Sequence, residues 1–413
     1  MRVRFAPRRR LLAAVVLIVG VIASTGLAHA AYVSPPSFAG TISVNDAPRG
    51  IAITPDGTRA YVASLNDAVV DVIDLATNSV ATRIPLEAGA TAIGVVISPD
   101  GRRAYVSEFG KNKVAVIDTT SNTVMTTVAV GVGPYGLALS PDGGRLYVTE
   151  YTSGEVSIID TSNNTIAHAD ISVGRDPWGV AVTPDGNYLY VTNSRDNTVE
   201  VIDTATYTRV GSLISVPDTP TGIAISPDGL TAYVTSNGGT GGVTLIDTAS
   251  RAVVSSIATA ANSAGVAFSP DGSRVYVANF GPTTVSVINA STRTVIYTVD
   301  VGRPPWSVAF TPDGTRVYVT IGNSSYVSII STGWQRPAAP DDPTAAMQQF
   351  SVPAGMTSAD CVAYVPDHVD WPGLVNLHLA AWGLSYAQWP NDNAGGWVCT
   401  RQPYWNGMGW SVR

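Results

Sequence analysis

The sequence predicts an all-β protein, a seven-bladed β-propeller closed by an N-terminal strand, followed by a small C-terminal α+β module held by a disulfide. The block Ser/Thr-Pro-Asp-Gly occurs seven times, with aspartates 42 to 44 residues apart. Four short runs of alternating apolar and polar residues lie within each period, which is typical of a repeat built from strands. The block aspartates are Asp56, Asp100, Asp142, Asp185, Asp228, Asp271 and Asp313.

Residues 1–30 are predicted to be a signal peptide. They combine a basic start, an apolar run and a small-x-small site, Ala28-His29-Ala30. The alternative, an uncleaved anchor helix, is disfavoured because the run is short for a membrane span. Without this leader the chain has 19 basic and 31 acidic side chains. This balance argues against nucleic acid or anionic lipid as a main partner. We expect a secreted protein, extracellular or associated with the cell wall, with no transmembrane segment after leader removal.

Residues 178–216 show the content of one repeat. The segments "WGVAV", "YLYVTN", "TVEVID" and "TRVGSLISV" are separated by turn residues and are rich in β-branched side chains. Four strands in a radial array form a propeller blade. Pro-Asp-Gly suits a tight turn because Pro presets φ, Asp bonds the local backbone and Gly accepts positive φ. These turns account for the regularly spaced aspartates, so no metal site is predicted.

The ring closure follows from the two ends of the repeat array. The seventh unit runs to Ser331 and continues as "TGWQRPAAPDD", which cannot form a fourth strand. The segment 39–44, "AGTISV", precedes the first unit and has no partner near it in sequence. Its Ile42 lies three periods before Ile171 of a fourth strand. We therefore predict that this segment pairs into the last blade and removes its open edge.

The second strands carry a recurrent motif, seen in Tyr147-Val148-Thr149-Glu150 and Tyr190-Val191-Thr192-Asn193. With the preceding "SPDG" and following "VSVID" segments, it resembles the YVTN-repeat β-propeller family over residues 39–333. The resemblance implies a surface-layer or periplasmic protein with a binding role. Related propellers include lactonases and streptogramin lyases, so it leaves enzyme and binder open. The combination with the C-terminal region is similar to exported actinobacterial proteins.

Candidate ligand-binding residues come from the loops between blades, which vary whereas the opposite turns repeat. One equivalent position holds Arg49, Ile93, Tyr135, Trp178, Thr221, Ala264 and Trp306. Tyr135, Trp178 and Trp306 predict an aromatic pocket at the channel mouth, in which charged groups fix a ligand's orientation. The alternative is that these rings wedge between blades. The charged candidates are Arg175 and Arg303, each three residues before a Trp, and Glu108 and Glu150 at second-strand ends.

Catalysis has less support in the residues. Beyond the leader the only histidines are His168, His368 and His378, and His168 lies on an outer strand. This leaves no histidine for a nucleophile–base pair at the mouth and no cluster with metal-ligand spacing. No catalytic residue and no cofactor are therefore assigned. A Glu108/Glu150 carboxylate pair for acid–base chemistry stays open.

The chain changes character after the propeller, predicted over residues 31–333. Residues 334–350 are rich in Pro, Ala and Asp, as in a linker. Residues 351–413 contain six of the nine tryptophans and both cysteines. An amphipathic helix is predicted over 372–387. Because so short a module has little core, and an exported protein pairs its cysteines, Cys361 and Cys399 are expected to form a disulfide. The tryptophans form either a core or a glycan-stacking surface.

The sequence thus favours an exported binding or interaction protein that uses the loop face of a propeller. Its expected partner is an envelope protein, a glycan or a small molecule, and the C-terminal module is expected to contact wall or glycan material. Two alternatives stay open. One is a lactonase- or lyase-like enzyme with its site at the channel mouth, and the other is a structural component of the cell envelope.

Overall fold

Seven radial four-stranded sheets follow one another along the chain and confirm the all-β, seven-bladed propeller. The computed structural model describes residues 31–335 except 33, 218 and 240, together with 403–405 and 410–412. The sheets are numbered here as blades one to seven in chain order. Within each, strand one lies innermost at the channel and strand four outermost. Among the described residues, no helix has the length and apolar character to cross a membrane.

The strand bounds repeat closely from blade to blade. The first strands are Pro48–Ile53, Ala92–Ile97, Pro134–Leu139, Pro177–Val182, Pro220–Ile225, Ser263–Phe268 and Pro305–Phe310. The second strands are Arg59–Ser64, Arg103–Glu108, Arg145–Glu150, Tyr188–Asn193, Thr231–Ser236, Arg274–Asn279 and Arg316–Ile321. The third strands are Val69–Asp74, Lys113–Asp118, Glu155–Asp160, Thr198–Asp203, Gly242–Asp247, Thr284–Asn289 and Tyr326–Ser331. The fourth strands are Ser79–Pro85, Thr123–Ala129, Thr165–Ser172, the pair Thr208–Arg209 and Ile214–Ser215, Ala252–Ile257, Thr294–Asp300 and Ser37–Ser43.

The Pro-Asp-Gly turns form a regular ring on one face. In blade two, the Ser98 hydroxyl donates to Asp100 at 2.5 Å, and the Arg102 amide donates to the same carboxylate at 3.0 Å. Gly101 has φ +73°, and a Cβ there would lie 3.4 Å from the ring of Pro55 in blade one. The equivalent contact joins blade one to blade seven. These bonds give each aspartate a structural role in its turn.

The fourth strand of blade seven comes from the N-terminal side of the ring. Ser37–Ser43 pairs antiparallel with Tyr326–Ser331, the third strand of that blade. Beside this pair, Ala31–Tyr32 pairs with Trp334–Gln335. In this arrangement, blade seven has strands from both ends of the array. Whether the ring depends on this strand for its stability stays a prediction.

The core lies between blades rather than in one centre. A cluster joining blades one and two contains Tyr61 and Val72 from one sheet and Val106 and Ile117 from the other, all fully buried. The Tyr61 hydroxyl crosses the interface and donates to Asn122 at 2.6 Å. Tyr61 thus buries its ring between the two blades, and its hydroxyl finds a hydrogen-bond partner at their interface.

Blade four departs from the regular pattern at its outer edge. Its fourth strand is broken into Thr208–Arg209 and Ile214–Ser215, with Gly211 at φ +74° between the two pieces. In the C-terminal region, Pro403–Trp405 pairs antiparallel with Trp410–Val412. The signal peptide, most of the linker, the 372–387 helix and the Cys361–Cys399 disulfide lie outside the described residues. Their assignments and the domain boundaries stay predictions.

Candidate ligand site at the channel mouth

A bulge interrupts the start of every first strand beside the channel. In blade three, Pro134 pairs with Glu150 and Leu137 with Val148, so the register shifts across Tyr135 and Gly136. The same shift occurs in each of the other six blades. A bulge releases residues from the ladder and redirects their side chains. The seven residues freed in this way form the mouth ring: Arg49, Ile93, Tyr135, Trp178, Thr221, Ala264 and Trp306.

In blades two, three, four, five and seven, a Ser or Thr hydroxyl in the second strand fixes the bulge to the next blade. Blades one and six have Ala63 and Ala278 at this position. The Thr149 hydroxyl accepts a hydrogen bond from Gly136 N–H at 2.8 Å and donates to the Trp178 carbonyl at 3.0 Å. The Thr320 hydroxyl donates likewise to the Arg49 carbonyl at 2.7 Å, across the junction of blades seven and one. These bonds hold the backbone of the mouth ring without using the side chains of Tyr135, Trp178 or Trp306.

Glycine follows the mouth residue in blades one to six because the next backbone passes very close. A Cβ on Gly136 would lie 2.3 Å from the Trp178 carbonyl oxygen, and one on Gly179 would lie 2.4 Å from the Thr221 oxygen. Both distances are shorter than any tolerable contact. Blade seven has Ser307 at this position. The glycine thus sets the spacing between neighbouring inner strands.

The mouth ring encloses a cavity of about 200 Å³. Trp178 of blade four and Trp306 of blade seven meet across the channel, with ring centroids 5.8 Å apart and planes inclined by 35°. Of the blades between them, blade six contributes the small side chain of Ala264 to the lining, whereas Thr221 of blade five is buried and bonded to Thr235 and the Ser263 carbonyl. Bulky side chains therefore fill one side of the cavity, and backbone and small side chains bound the other.

Six aromatic side chains form a continuous cluster around this cavity. Tyr135 packs on Trp178 with centroids 4.5 Å apart, and Phe280 meets Trp306 edge-on at 5.7 Å. The second-strand exits of blades two and three add Phe109 and Tyr151, which contact each other and Tyr135. All six side chains are half-buried, unlike the fully buried interblade tyrosines. They are therefore neither core nor freely exposed.

Arg49 is the one charged side chain that lines the cavity in the described chain. Its guanidinium carbon lies 4.0 Å from the Trp306 ring centroid. Its Nη1 atom is buried and, among the described residues, has no hydrogen-bond partner. Burial lowers the pKa of Arg49, and the nearby Tyr135 acts in the opposite direction. Burial likewise raises the pKa of the Tyr135 hydroxyl well above its usual value, against the influence of Arg49.

The structure brings three of the predicted site residues together and leaves two arginines apart from them. Tyr135, Trp178 and Trp306 line the cavity. Arg175 is 67 % exposed and forms an ion pair with Asp196, with Nη2 and Oδ1 2.6 Å apart. Arg303 is exposed and lies over the Tyr326 ring at 6.0 Å. Neither arginine lines the cavity in the described chain.

Glu108 and Glu150 lie inside their own blades, under the loops that lead to the first strands. Glu150 accepts hydrogen bonds from Gly131 N–H at 2.7 Å and from the Ser153 hydroxyl at 2.9 Å, and the Ser157 hydroxyl also contacts it. Glu108 is 1 % exposed, and its Oε2 has no partner among the described residues. Burial raises the pKa of both carboxyls. Neither side chain lines the cavity.

Glu150 also belongs to a cluster of three carboxylates. Its ligand oxygen lies within 4.8 Å of those of Glu155 and Asp170. Since Glu150 is already hydrogen-bonded and Asp170 is exposed, this cluster receives no metal assignment.

The sequence analysis selected the aromatic residues of the mouth ring as ligand-binding candidates but did not select Arg49. Arg49 occupies the position equivalent to Tyr135 and Trp178, whereas the arginine candidates were chosen by their distance from a Trp. The repeat alignment placed Arg49 at this position, but its contact with Trp306 follows only from ring closure, which brings blade one next to blade seven. Phe109, Tyr151 and Phe280 share another repeat position, immediately after the second strand.

Comparisons with known proteins agree with the fold. A family model described as "Lactonase, 7-bladed beta-propeller" matches residues 3–172, and one described as "Cytochrome D1 heme domain" matches residues 183–303. The WD domain, G-beta repeat, matches residues 162–203. No single model spans half of the chain. The fold and these matches together define a seven-bladed β-propeller protein with WD-like repeats.

One solved structure shares this architecture over nearly its full length. Hydrazine synthase from Kuenenia stuttgartiensis superposes with a TM-score of 0.65 at 23 % identity, covering 70 % of this chain and 96 % of that chain. At that identity the likeness concerns the fold. No curated protein matches the sequence at a significant level.

The haem-domain match does not extend to a haem site. Residues 183–303 contain no histidine, cysteine or methionine. These are three of the four side chains that commonly ligate haem iron. The fourth, tyrosine, occurs in the cavity lining only as Tyr135, outside the matched segment. We therefore derive no haem chemistry for this chain.

Proposed function

We propose that this protein is an exported binding protein whose small-molecule ligand enters the mouth of the propeller channel. The observation that carries the proposal is the half-buried aromatic cluster around a cavity of about 200 Å³. Ligand sites are concave, mostly apolar and supplied with a few polar groups that fix orientation. The mouth ring has this character. The face with the Pro-Asp-Gly turns, called here the turn face, has a larger cavity of about 500 Å³ between blades three and four, but its lining is mainly polar and includes Asp142, Arg145 and Asp185.

The energetics of the cluster support a binding role over a packing role. Rings that merely wedge between blades would be fully buried, as Tyr61 and Tyr190 are. Trp178 and Trp306 instead keep part of their surface accessible, so a ligand can bury further aromatic area there. Each square ångström of apolar surface removed from water contributes about 25 cal/mol.

The export and envelope parts of the proposal rest on the sequence. The leader predicted over residues 1–30 supports secretion, and the Trp-rich segment 351–413 supports contact with wall polymer or another glycan. A lactonase-like activity is the second candidate, favoured by the family match over residues 3–172. Ester or lactone turnover that is lost in Glu108→Gln or Glu150→Gln would support that candidate instead.

A fragment-binding experiment tests the proposal. The full chain is screened by ligand-observed NMR against small aromatic and aliphatic fragments, and hits are titrated by calorimetry. Trp178→Ala combined with Trp306→Ala is expected to abolish binding of aromatic hits, because the two rings that bound the cavity are removed. Trp334→Ala is the matched control, since Trp334 lies against Gly314 on the turn face. Equal binding by both variants would place the ligand elsewhere.

A further inference from the structure

The buried Arg49 Nη1 atom, which has no hydrogen-bond partner among the described residues, indicates which class of small molecule binds in the cavity. This inference rests on the proposed function. A buried donor without an acceptor loses its hydration and gains no hydrogen bond in return, and the loss is larger when the donor is charged. Native structures rarely tolerate this, and an orphaned group in a cavity points to a missing partner. Arg49 Nη1 is such a group.

Blade seven leaves space for the Arg49 side chain. After the second strand, blades two, three and six have Phe109, Tyr151 and Phe280, but blade seven has Gly322. A Cβ on Gly322 would lie 2.4 Å from Arg49 Nη1 and 3.4 Å from the Trp306 side chain. The missing side chain is therefore what allows the guanidinium to lie against Trp306.

The surroundings of Arg49 lack a protein counter-charge. The residues that line the cavity include no carboxylate. Besides Arg49, the polar side chains of the lining are Tyr135 and Ser307, whose hydroxyls can donate hydrogen bonds to a ligand. One cation without a counter-charge thus faces a wall of aromatic rings. This combination is complementary to a planar anion with an apolar body.

We infer that the cavity binds a small aromatic carboxylate, with its carboxylate on Arg49 and its ring against Trp178 and Trp306. Guanidinium and carboxylate match in a planar, two-bond geometry that lysine cannot reproduce. The volume of about 200 Å³ admits a single substituted ring. The contact between the Arg49 guanidinium and the Trp306 ring holds the charged group at the cavity wall.

Calorimetry with matched probes tests this inference on the full chain. Benzoate, its neutral isostere benzamide, and acetate are titrated into the wild type, Arg49→Met and Arg49→Lys. We expect the wild type to bind benzoate at least tenfold more tightly than benzamide or acetate. Arg49→Met should lose that preference without losing benzamide binding, and Arg49→Lys should recover part of it.

A second variant guards against an indirect effect of removing arginine. Gly322→Ala keeps Arg49 but displaces its guanidinium, so it should weaken benzoate binding while benzamide binding is retained. Thermal melting of each variant checks the fold. Arg49→Met is expected to melt no lower than the wild type, because it removes a buried charge that lacks an acceptor.

The outcomes separate this inference from the proposed function. If benzamide binds as tightly as benzoate, or if Arg49→Met leaves the benzoate preference unchanged, the inference is overturned and the aromatic binding site stands. If acetate binds as tightly as benzoate, the ring contacts are not used and the inference is again overturned. If no aromatic probe binds, both proposals fail.

Discussion

The two faces of the propeller differ in what the repeat keeps constant. On the turn face, seven Pro-Asp-Gly turns have matching hydrogen bonds, and a Ser or Thr hydroxyl donates to each aspartate. On the mouth face, seven bulges have matching backbone geometry but present different side chains. Repetition of side chains marks the scaffold. Repetition of backbone alone marks the positions where side chains are free to vary with the ligand.

The largest loss of stability is expected from deleting the N-terminal strand Ser37–Ser43, which is the fourth strand of blade seven. Deleting residues 31–46 removes the Ser37–Ser43 strand and leaves the third strand of blade seven as an open edge. We expect loss of a single cooperative melting transition and the appearance of aggregates by light scattering. Adding a synthetic peptide of residues 34–46 should restore cooperativity in part. A truncated ring that melts like the full chain would contradict the closure argument.

A smaller loss of stability is expected in blade three, where Gly136 lies on the mouth face and Gly144 on the turn face. Gly136→Ala would place a Cβ 2.3 Å from the Trp178 carbonyl, whereas Gly144→Ala would place one 3.3 Å from the Asp142 side chain. The first change forces two inner strands apart and should cost about 1–3 kcal/mol of unfolding free energy. The second should be nearly neutral. Urea denaturation of the two variants compares them, and equal midpoints would show that the inner strands can separate freely.

The smallest effect is a pH dependence that arises on the turn face. The Thr or Ser hydroxyl before each turn lowers the pKa of Asp56, Asp100 and Asp142. A folded-state pKa below the unfolded value of about 4 gives stability that is present above that pH and lost as the pH falls further. The melting temperature should therefore decrease as the pH is lowered from about 5 to about 3.

Glu108 and Glu150, near the mouth face, change the pH dependence of stability in the opposite direction. Burial raises the pKa of Glu108 and Glu150, so their ionisation reduces stability as the pH rises through those raised values. Asp100→Asn should flatten only the acidic part of the melting profile. A profile without any decrease toward pH 3 would show that the turn bonds do not favour the ionised carboxylates.

Most of the fold was accessible from the sequence because its causes are local. Pro, Asp and Gly set the turn in each unit by their own backbone preferences, and seven equal periods leave no choice but a repeat architecture. The spare N-terminal segment could be placed by counting residues alone. The broken outer strand of blade four could not, since an exposed edge tolerates the Gly211 interruption without loss of core packing.

What the sequence by itself determined is therefore the repeat, the blade number and the aromatic positions of the mouth ring. The tertiary structure alone decided which of those side chains meet. Trp178 reaches Trp306 only because a closed ring brings blades four and seven across one narrow channel. Arg49 and Trp306 are far apart in sequence and become neighbours when blade seven closes onto blade one. Contacts of this kind depend on the channel diameter, which is set by backbone packing at the glycines and not by any local pattern.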